Sequence, residues 1–265
     1  MVKEISIIGA GNLTKSILSA IRIANNSCVI NLIDIDKNKR LIAKKYNAIF
    51  SSTCSSIISK SDLVFLLVKP KEYKTVLNNI KKVISKKTIL VSFMAGITHD
   101  QIKKSLDENI TVVRCMTNLT ASEIKPYIFY YSKSLDLKKT KMIKDFFSSY
   151  SIFKKCSTEA DIDKLTALYG SGPAYYIYFN KIMRDSFIQM GYSKKLSKEY
   201  TDNLLHGTAK LIEGNTDLDK IINAIASKGG TTEAALNDFK KNKVNQLITK
   251  GICQAFKKSK NILKK

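Results

Sequence analysis

Two glycine-rich turns, near opposite ends of the chain, carry residue types that bind anions. One of them, Gly229-Gly230-Thr231-Thr232, precedes a segment with the composition of a helix. Glycines let a ligand approach the backbone closely, and the free N–H groups at a helix start attract negative charge. The turn therefore predicts a carboxylate-binding site. The alternative interpretation is an ordinary glycine turn before a threonine-capped helix.

The other turn follows an apolar segment and leads into a second helix-like segment. Its residues are Gly9, Ala10, Gly11, Asn12, Leu13 and Thr14. Strand, glycine turn and helix in this order begin a dinucleotide-binding unit, in which the pyrophosphate lies at the helix N-terminus. We therefore expect Gly9, Gly11, Asn12 and Leu13 to contact a cofactor. Thr14 replaces the third glycine of this motif, so helix and strand should pack less closely.

Asp34 follows the second predicted strand, where a carboxylate hydrogen-bonds the adenosine ribose of NAD. The same carboxylate would repel the 2′-phosphate of NADP, which favours NADH. However, Lys37, Lys39 and Arg40 follow closely and would neutralise a phosphate. A solvated turn at Asp34 and Asp36 is the alternative interpretation.

Strands and helices alternate through the first part of the chain. The predicted strands are residues 5–8, 28–33, 49–50, 63–68, 89–93 and 111–115. This alternation predicts an α/β, Rossmann-like, doubly wound parallel sheet, whose ligands bind at the carboxyl ends of the strands. Asn12, Lys69, Gly96 and Asn118 fall at those ends.

The pattern becomes helical after residue 158. We therefore expect a dinucleotide-binding domain at residues 1–158 and an all-helical domain at residues 159–265. Large apolar side chains at residues 175–179 would cover every face of a helix, which a small domain cannot bury by itself. This segment predicts a helix enclosed by a partner subunit.

Composition excludes several other classes of protein. The chain has 265 residues, 44% hydrophobic, and its longest apolar run, residues 63–68, is too short to cross a bilayer. The apolar N-terminal segment is interpreted as a strand and not a signal peptide, so we expect a cytoplasmic protein with no membrane partner. The net charge of +23 suggests nucleic acid, but the basic residues are almost all dispersed lysines. Since arginine is the better phosphate ligand, specific nucleic-acid binding is not expected.

The cysteines and histidines of this sequence do not form the pattern of a metal site or a disulfide framework. The five cysteines are scattered and odd in number, which argues against a disulfide framework or a zinc site. His99 and His206 are the only histidines, and neither is expected to be functional. No metal is predicted.

Several sequence blocks resemble those of the pyrroline-5-carboxylate reductase family. Residues 163–175 and 227–232 resemble its C-terminal signature. The Gly9 turn, Val68-Lys69-Pro70, residues 92–98 and residues 114–121 resemble successive blocks in the same order. The resemblance spans essentially the whole chain.

This resemblance implies an oxidoreductase that reduces the cyclic imine 1-pyrroline-5-carboxylate to L-proline with NADH or NADPH, the last step of proline biosynthesis. Hydride transfer belongs to the cofactor, so the protein must bind, orient and exclude water. The substrate carboxylate would lie on the N–H groups of Gly229, Gly230 and Thr231. Thr232 matches the active-site threonine of the family and would hydrogen-bond the ring nitrogen.

The family also implies contacts to the nicotinamide and an assembly. Val68, Lys69, Pro70 and Asn118 would lie against the nicotinamide. The helical domain would form a homodimer and bind substrate, and a larger homo-oligomer is compatible with it.

The chain departs from the family pattern at a few positions. Thr117, Leu119 and Thr120 replace the family's Pro, Thr and Pro, so we expect a looser loop near the nicotinamide. Lys228 replaces a proline and is either solvated or draws the anionic substrate inward. Lys181 stands where the family often carries an acid.

Three alternative functions remain beside the proline-forming reductase. They are a related imine or keto-acid reductase, a non-catalytic dinucleotide-binding homologue and a basic nucleic-acid-binding protein. The retained Thr232 argues against the second of these, and the scarcity of arginine argues against the third.

Overall fold

The computed structural model describes residues 2–24, 27–54, 57–107, 109–214 and 217–263. Two compact units make up the chain: residues 1–171 together with 255–265, and residues 172–254. The predicted domain boundary after residue 158 lies within the first unit. The last part of the chain thus returns to the unit in which the chain begins.

The first unit contains one eight-stranded sheet with the order β3-β2-β1-β4-β5-β6-β7-β8. The strands are β1 (Glu4–Ile8), β2 (Val29–Ile33), β3 (Ile49–Ser51), β4 (Leu63–Leu66), β5 (Ile89–Ser92), β6 (Thr111–Met116), β7 (Tyr127–Tyr131) and β8 (Ile152–Lys155). Neighbouring strands are parallel except β6 and β7, which are antiparallel. The predicted Rossmann-like, doubly wound sheet is confirmed, with one reversal at β7.

Seven α-helices of the described chain lie in the first unit. They are α1 (Asn12–Ile23), α2 (Arg40–Lys45), α3 (Ile57–Lys60), α4 (Tyr73–Lys81), α5 (His99–Ser105), α6 (Leu137–Ser148) and α7 (Glu159–Leu165). Short 3-10 turns cover Lys37–Lys39, Pro70–Glu72 and Leu119–Ser122, and a π-helical turn covers Thr166–Gly170.

The remaining helices follow this π-helical turn. They are α8 (Gly172–Gln189), α9 (Lys194–Ile212), α10 (Leu218–Ile225), α11 (Thr231–Lys241) and α12 (Val244–Lys260). The last residues of α12 belong to the first unit. None of the helices in the described part of the chain is both long and apolar enough to span a membrane.

The central strands are buried on both faces, as expected for a parallel sheet covered by helices. Every residue of β4 and β5 is buried. On one face Phe65 stacks on Phe147 of α6, with their ring centroids 5.6 Å apart. On the other face Leu66 packs in a cluster that includes Leu77 of α4. The sheet therefore forms a rigid layer whose strand ends hold loops in fixed positions.

The final described residues pack against the first unit through Gly96 and Asp163. The Ser259 hydroxyl donates to the Asp163 carbonyl oxygen at 3.0 Å. Gly96 has φ +68°, and a Cβ there would lie 2.5 Å from Ile262 Cγ2 and 2.6 Å from the Ser259 carbonyl oxygen. A side chain at position 96 would therefore displace this segment.

The second unit buries little of its own apolar surface. In the described part of residues 172–254, the buried residues are Gly172, Ser197 and Thr201. On α8, Tyr176 and Phe179 are 71% and 56% exposed, respectively. A helix that is apolar on all faces needs a covering surface. The apolar segment at residues 175–179 is therefore uncovered in the single chain, consistent with the predicted partner subunit.

Candidate active site

The Gly9 turn closes tightly against the end of β4. Gly9 has φ +100°, and a Cβ there would lie 2.7 Å from the Leu67 carbonyl oxygen and 3.0 Å from Val68 Cγ1. Its N–H donates to the Ile33 carbonyl oxygen at 2.8 Å. Glycine is thus required because the turn is in contact with both neighbouring strands. This contact places Gly9 beside Val68, another predicted site residue.

Gly11 differs from Gly9 because it faces open space. It caps α1 with φ −81°, and a Cβ at this position would have no atom within 4 Å. Asn12, the first residue of α1, is exposed, whereas Leu13 packs against the core. The N–H groups of the first turn of α1 have no intrahelical acceptors. The geometry leaves room for an anion at this helix N-terminus.

Thr14 ties the turn to the helix that follows. Its buried hydroxyl donates to the Gly9 carbonyl oxygen at 2.6 Å. The threonine at the third motif position therefore fixes the turn by a hydrogen bond that glycine cannot make.

Asp34 holds the Gly9 turn as well as the end of β2. Its Oδ2 accepts from the Ala10 N–H at 2.7 Å, and its Oδ1 accepts from the Asp36 N–H at 2.9 Å. The nearby cations are engaged elsewhere: Lys39 lies 3.6 Å from Asp36, and the Arg40 guanidinium lies 6.0 Å from the centre of the Phe50 ring. The carboxylate at the end of β2 is therefore not neutralised by these two cations.

The Asn118 side chain joins two segments of the first unit. Its Oδ1 accepts from the Thr120 N–H at 2.9 Å, and its Nδ2 donates to the Tyr169 carbonyl oxygen at 2.9 Å. The next carbonyl, that of Leu119, accepts from the Ser16 hydroxyl of α1 at 3.1 Å. The structure thus brings the Asn118 loop, α1 and the π-helical turn together.

The threonines that replace the family's prolines hold this loop by hydrogen bonds. The Thr117 hydroxyl donates to the Tyr127 carbonyl oxygen at 2.9 Å, and the Thr120 hydroxyl donates to Asn118 Oδ1 at 2.6 Å. Thr117 is also buried, whereas Leu119 is 52% exposed. The loop that we expect to be looser is therefore tied at two of the three substituted positions.

Val68, Lys69 and Pro70 follow β4 at the same edge of the sheet. Val68 is half-buried and packs against the core, Lys69 is exposed, and Pro70 begins a 3-10 turn. Val68 and Asp34 both contact the Gly9 turn, which precedes α1. Their contacts with a cofactor stay a prediction.

The second turn begins α11 in the helical unit. Gly229 has φ +73°, and its N–H donates to Glu233 Oε2 at 2.7 Å. The Gly230 N–H donates to the Ser227 carbonyl oxygen at 3.0 Å. Both glycine amides thus have acceptors within the chain. The N–H groups of Thr231 and Thr232, in the first turn of α11, have no intrahelical acceptors.

The side chains around this turn differ in exposure. Thr231 and Lys228 are exposed, whereas Thr232 and Glu233 are half-buried. Glu233 acts as a capping carboxylate, because an acid in the first turn stabilises a helix N-terminus. The sequence signal for this role is an acid three residues after Gly230, a position that was not among the predicted site residues.

Lys181, where the family often carries an acid, pairs with Asp185 on α8, at 2.5 Å.

A buried ionic cluster links β6 to α7. Arg114 is fully buried, and its guanidinium binds Glu159 Oε1 at 2.7 Å and Asp163 Oδ1 at 3.1 Å. The same Glu159 oxygen accepts from the His99 N–H at 2.6 Å. The arrangement fixes the end of β6, and with it the loop that carries Asn118.

Potential metal ligands do not cluster in the described part of the chain. No group of three or more His, Cys, Asp and Glu side chains among these residues is placed to hold a metal ion. The five cysteines are free, and burial raises the pKa of the Cys28, Cys115 and Cys156 thiols.

The fold and the Gly9 turn define a Rossmann-like dinucleotide-binding protein. A protein-family model described as "NADP oxidoreductase coenzyme F420-dependent" matches residues 4–96. A second, described as "Pyrroline-5-carboxylate reductase dimerisation", matches residues 159–262.

Relatives over the full length of the chain point to one family. Pyrroline-5-carboxylate reductase 1 of Bacillus subtilis (strain 168) is 30% identical over 276 aligned positions, covering 98% of this chain and 89% of the relative. The solved structure of the Plasmodium falciparum pyrroline carboxylate reductase with NADP bound has 24% identity and a TM-score of 0.87, covering 98% of this chain and 97% of that one. The Streptococcus pyogenes reductase structure has 22% identity and a TM-score of 0.86, covering 97% and 98%. The chain belongs to the pyrroline-5-carboxylate reductase family.

Proposed function

We propose that this chain reduces 1-pyrroline-5-carboxylate to L-proline with a reduced nicotinamide dinucleotide. The observation that carries the proposal is the similarity to the Bacillus subtilis reductase over 98% of the chain. The two turns support it, because each presents the N-terminus of a helix to an anion. The proposed reaction is the last step of proline biosynthesis.

We position the pyrophosphate of the dinucleotide at the Gly9 turn. Gly9 is packed against β4, while Gly11 leaves open space over the N-terminus of α1. A pyrophosphate approaching this helix meets N–H groups and no side chain at position 11. When bound, the reduced nicotinamide supplies the hydride, and Val68, Lys69, Pro70 and Asn118 surround the place where we position its ring.

We favour NADH over NADPH on the charge of Asp34. The carboxylate keeps its place at the end of β2 through the Ala10 and Asp36 N–H groups. Each carboxylate oxygen accepts more than one hydrogen bond, so ribose hydroxyls can still donate to it. A 2′-phosphate in that place meets a like charge.

The substrate carboxylate is positioned at the start of α11. The Thr231 and Thr232 N–H groups and the helix dipole attract it, while Gly229 and Gly230 shape the turn. The half-buried Thr232 hydroxyl is the group that we assign to the ring nitrogen as it changes from imine to amine. Lys228 is exposed beside the turn, where it attracts the anionic substrate.

Homodimer formation follows from the apolar surface of α8. The family model described as "Pyrroline-5-carboxylate reductase dimerisation" matches the helical part of the chain, and Tyr176, Ile177, Tyr178 and Phe179 are all more than half exposed. We propose that a second copy covers these side chains.

One assay tests the proposed activity. Purified protein is given 1-pyrroline-5-carboxylate with NADH or NADPH, oxidation of the cofactor is followed by absorbance, and proline is identified as product. The expected result is turnover with proline formed in proportion to cofactor oxidised. Absence of turnover with both cofactors would remove the proposal. Turnover only with other cyclic imines or keto acids would instead assign the chain to a related reductase.

A further inference from the structure

Tyr169, in the π-helical turn, holds the Asn118 loop (residues 117–120) through both its backbone and its side chain. Its carbonyl oxygen accepts from Asn118 Nδ2 at 2.9 Å, and its hydroxyl oxygen accepts from the Tyr127 N–H at 3.0 Å. Its ring meets the Phe129 ring edge-on, with the centroids 5.2 Å apart. One residue thus joins the Asn118 loop to the first residues of β7.

The sequence explains why the Tyr169 carbonyl is available to a side chain. In a regular α-helix a carbonyl accepts from the N–H group four residues ahead. Position 173 is a proline, which has no N–H group. The turn before it is π-helical, and the Ser171 N–H donates five residues back, to the Thr166 carbonyl oxygen at 3.1 Å. The Tyr169 carbonyl therefore accepts from outside the helix, and its donor is Asn118.

The Tyr127 backbone links the Tyr169 hydroxyl to the start of the loop. Its N–H donates to that hydroxyl, and its carbonyl oxygen accepts from the Thr117 hydroxyl at 2.9 Å. Thr117 and Thr120 stand where the family carries prolines, which restrict a backbone more than threonine does. Side-chain hydrogen bonds of Tyr169 and Thr117 therefore supply a restraint in place of those prolines.

The other side of the loop is bound to α1. The Leu119 carbonyl oxygen accepts from the Ser16 hydroxyl at 3.1 Å, and Ser16 lies one turn after Asn12, the first residue of α1. The loop is thus held between Tyr169 and the helix at whose N-terminus we place the pyrophosphate. Loss of a Tyr169 contact would let the loop move relative to a bound cofactor.

We propose that Tyr169 is a positioning residue for the nicotinamide half of the cofactor. It acts through the Asn118 loop and does not itself touch the cofactor. The inference rests on the proposed function in one respect, the placing of the nicotinamide beside Asn118. Hydride transfer needs the reacting atoms about 3–3.5 Å apart, so a small displacement of the nicotinamide ring slows the reaction.

Equilibrium binding separates the nicotinamide from the rest of the cofactor. Calorimetric titration of the intact protein gives dissociation constants for NADH and for ADP-ribose, which has the same adenosine and pyrophosphate but no nicotinamide. Tyr169→Phe keeps the ring contact with Phe129 and removes the hydroxyl. It should raise the constant for NADH by about threefold or more, as expected for one lost hydrogen bond, and leave the constant for ADP-ribose unchanged.

Tyr131→Phe is the matched control for this comparison. It removes the hydroxyl of a half-buried tyrosine of β7 and leaves the contacts of Tyr169 in place, so neither constant should change. Equal weakening of NADH and ADP-ribose binding in Tyr169→Phe, or unchanged affinity for both, would overturn the proposal.

Turnover of 1-pyrroline-5-carboxylate gives a second measurement. Tyr169→Phe should lower kcat and increase the isotope effect of NADH deuterated at the transferred position, because hydride transfer itself is slowed. The KM for the imino acid should not change. A lower kcat with a smaller isotope effect would overturn the proposal, because a different step would then be affected. If the wild-type protein gives no turnover, the proposed function fails, whereas the two dissociation constants still decide the role of Tyr169.

Discussion

Single residues decide the shape of the Gly9 turn, and Gly9 and Gly11 do so in different ways. Gly9 holds a positive φ against the backbone of β4, whereas Gly11 is extended and faces open space. The sequence motif shows a glycine at both positions and does not distinguish their roles. The packing of the turn against β4 shows that Gly9 is required by the fold, whereas Gly11 leaves space for a ligand.

Gly9→Ala should lower the free energy of unfolding by about 1–3 kcal/mol, because the Cβ strains the backbone and the Leu67 carbonyl cannot move aside. Gly11→Ala is the matched control. Its free energy of unfolding should equal that of the wild type, and only its affinity for NADH should fall, because the added Cβ occupies the space proposed for the cofactor. Urea unfolding and NADH fluorescence titration measure the two effects. Equal stability of the two variants would contradict this assignment.

Thr232→Ala should lower kcat by about tenfold or more, because a hydrogen bond to the reacting nitrogen is lost. The NADH dissociation constant should not change. Thr231→Ala removes the neighbouring, exposed hydroxyl and serves as control, and Thr232→Ser should restore activity. A Thr232→Ala protein with wild-type kcat would show that the hydroxyl has another role.

Asp34→Asn should raise the ratio of kcat/KM for NADPH over NADH by about tenfold, because a like charge near the 2′-phosphate disappears. The asparagine oxygen still accepts from the Ala10 N–H, so the turn keeps its shape. Asp36→Asn removes a charge two residues away and should have a smaller effect. An unchanged ratio in Asp34→Asn would place Asp34 outside the ribose site.

At the scale of elements, the sequence predicts the parallel part of the sheet well because β1, β2, β4, β5 and β6 are apolar runs bounded by turns. The antiparallel β7 and the short β8 escaped prediction. β7 is a run of aromatic residues at the reversal, and two of the four residues of β8 are lysines, so neither shows the pattern of a buried parallel strand. The pairing with β6 that orders them is a long-range contact.

The candidate site likewise has residues that the sequence predicts and contacts that it does not. Its glycines, Asp34 and Asn118 are recognisable from motif and spacing. The Asn118 bond to the Tyr169 carbonyl and the Glu233 bond to the Gly229 N–H depend on the folded backbone. The Arg114 cluster depends on α7 meeting β6, which no local pattern specifies.

His99, at the start of α5, should make stability depend on pH. Burial lowers its pKa below the ordinary value, although Asp100 and Glu159 act in the opposite direction. Below pH about 6.5 the unfolded chain therefore binds a proton that the folded chain resists, and stability present above that pH is lost as pH falls. The loss is at most about 1.4 kcal/mol per pH unit for one group.

Urea unfolding at pH values between about 7.5 and 5 measures this effect. His99→Gln should flatten the dependence, whereas His206→Gln, which changes an exposed histidine, should not. If both variants keep the wild-type slope, His99 is not the group that titrates.

At the scale of the whole molecule, the apolar helix α8 should set the oligomeric state. Phe179→Glu places a charge in the proposed contact between copies and should reduce the molar mass in solution to that of one chain, 29.7 kDa. Leu41→Glu, at a 73% exposed position on α2, is the control and should leave the mass unchanged. Light scattering after gel filtration measures both. An unaltered mass for Phe179→Glu would mean that α8 does not form the contact.

The last part of the chain contacts Gly96 and Asp163 through Ser259 and Ile262. This contact affects how the chain folds while the ribosome makes it. The ribosome adds residues 255–263 only after it has made the whole of residues 172–254. The first unit therefore cannot complete its packing while it emerges, although N-terminal domains generally fold first during synthesis. Until then the backbone around Gly96 stays uncovered, and a nascent chain held at this stage should be more sensitive to protease than the released protein.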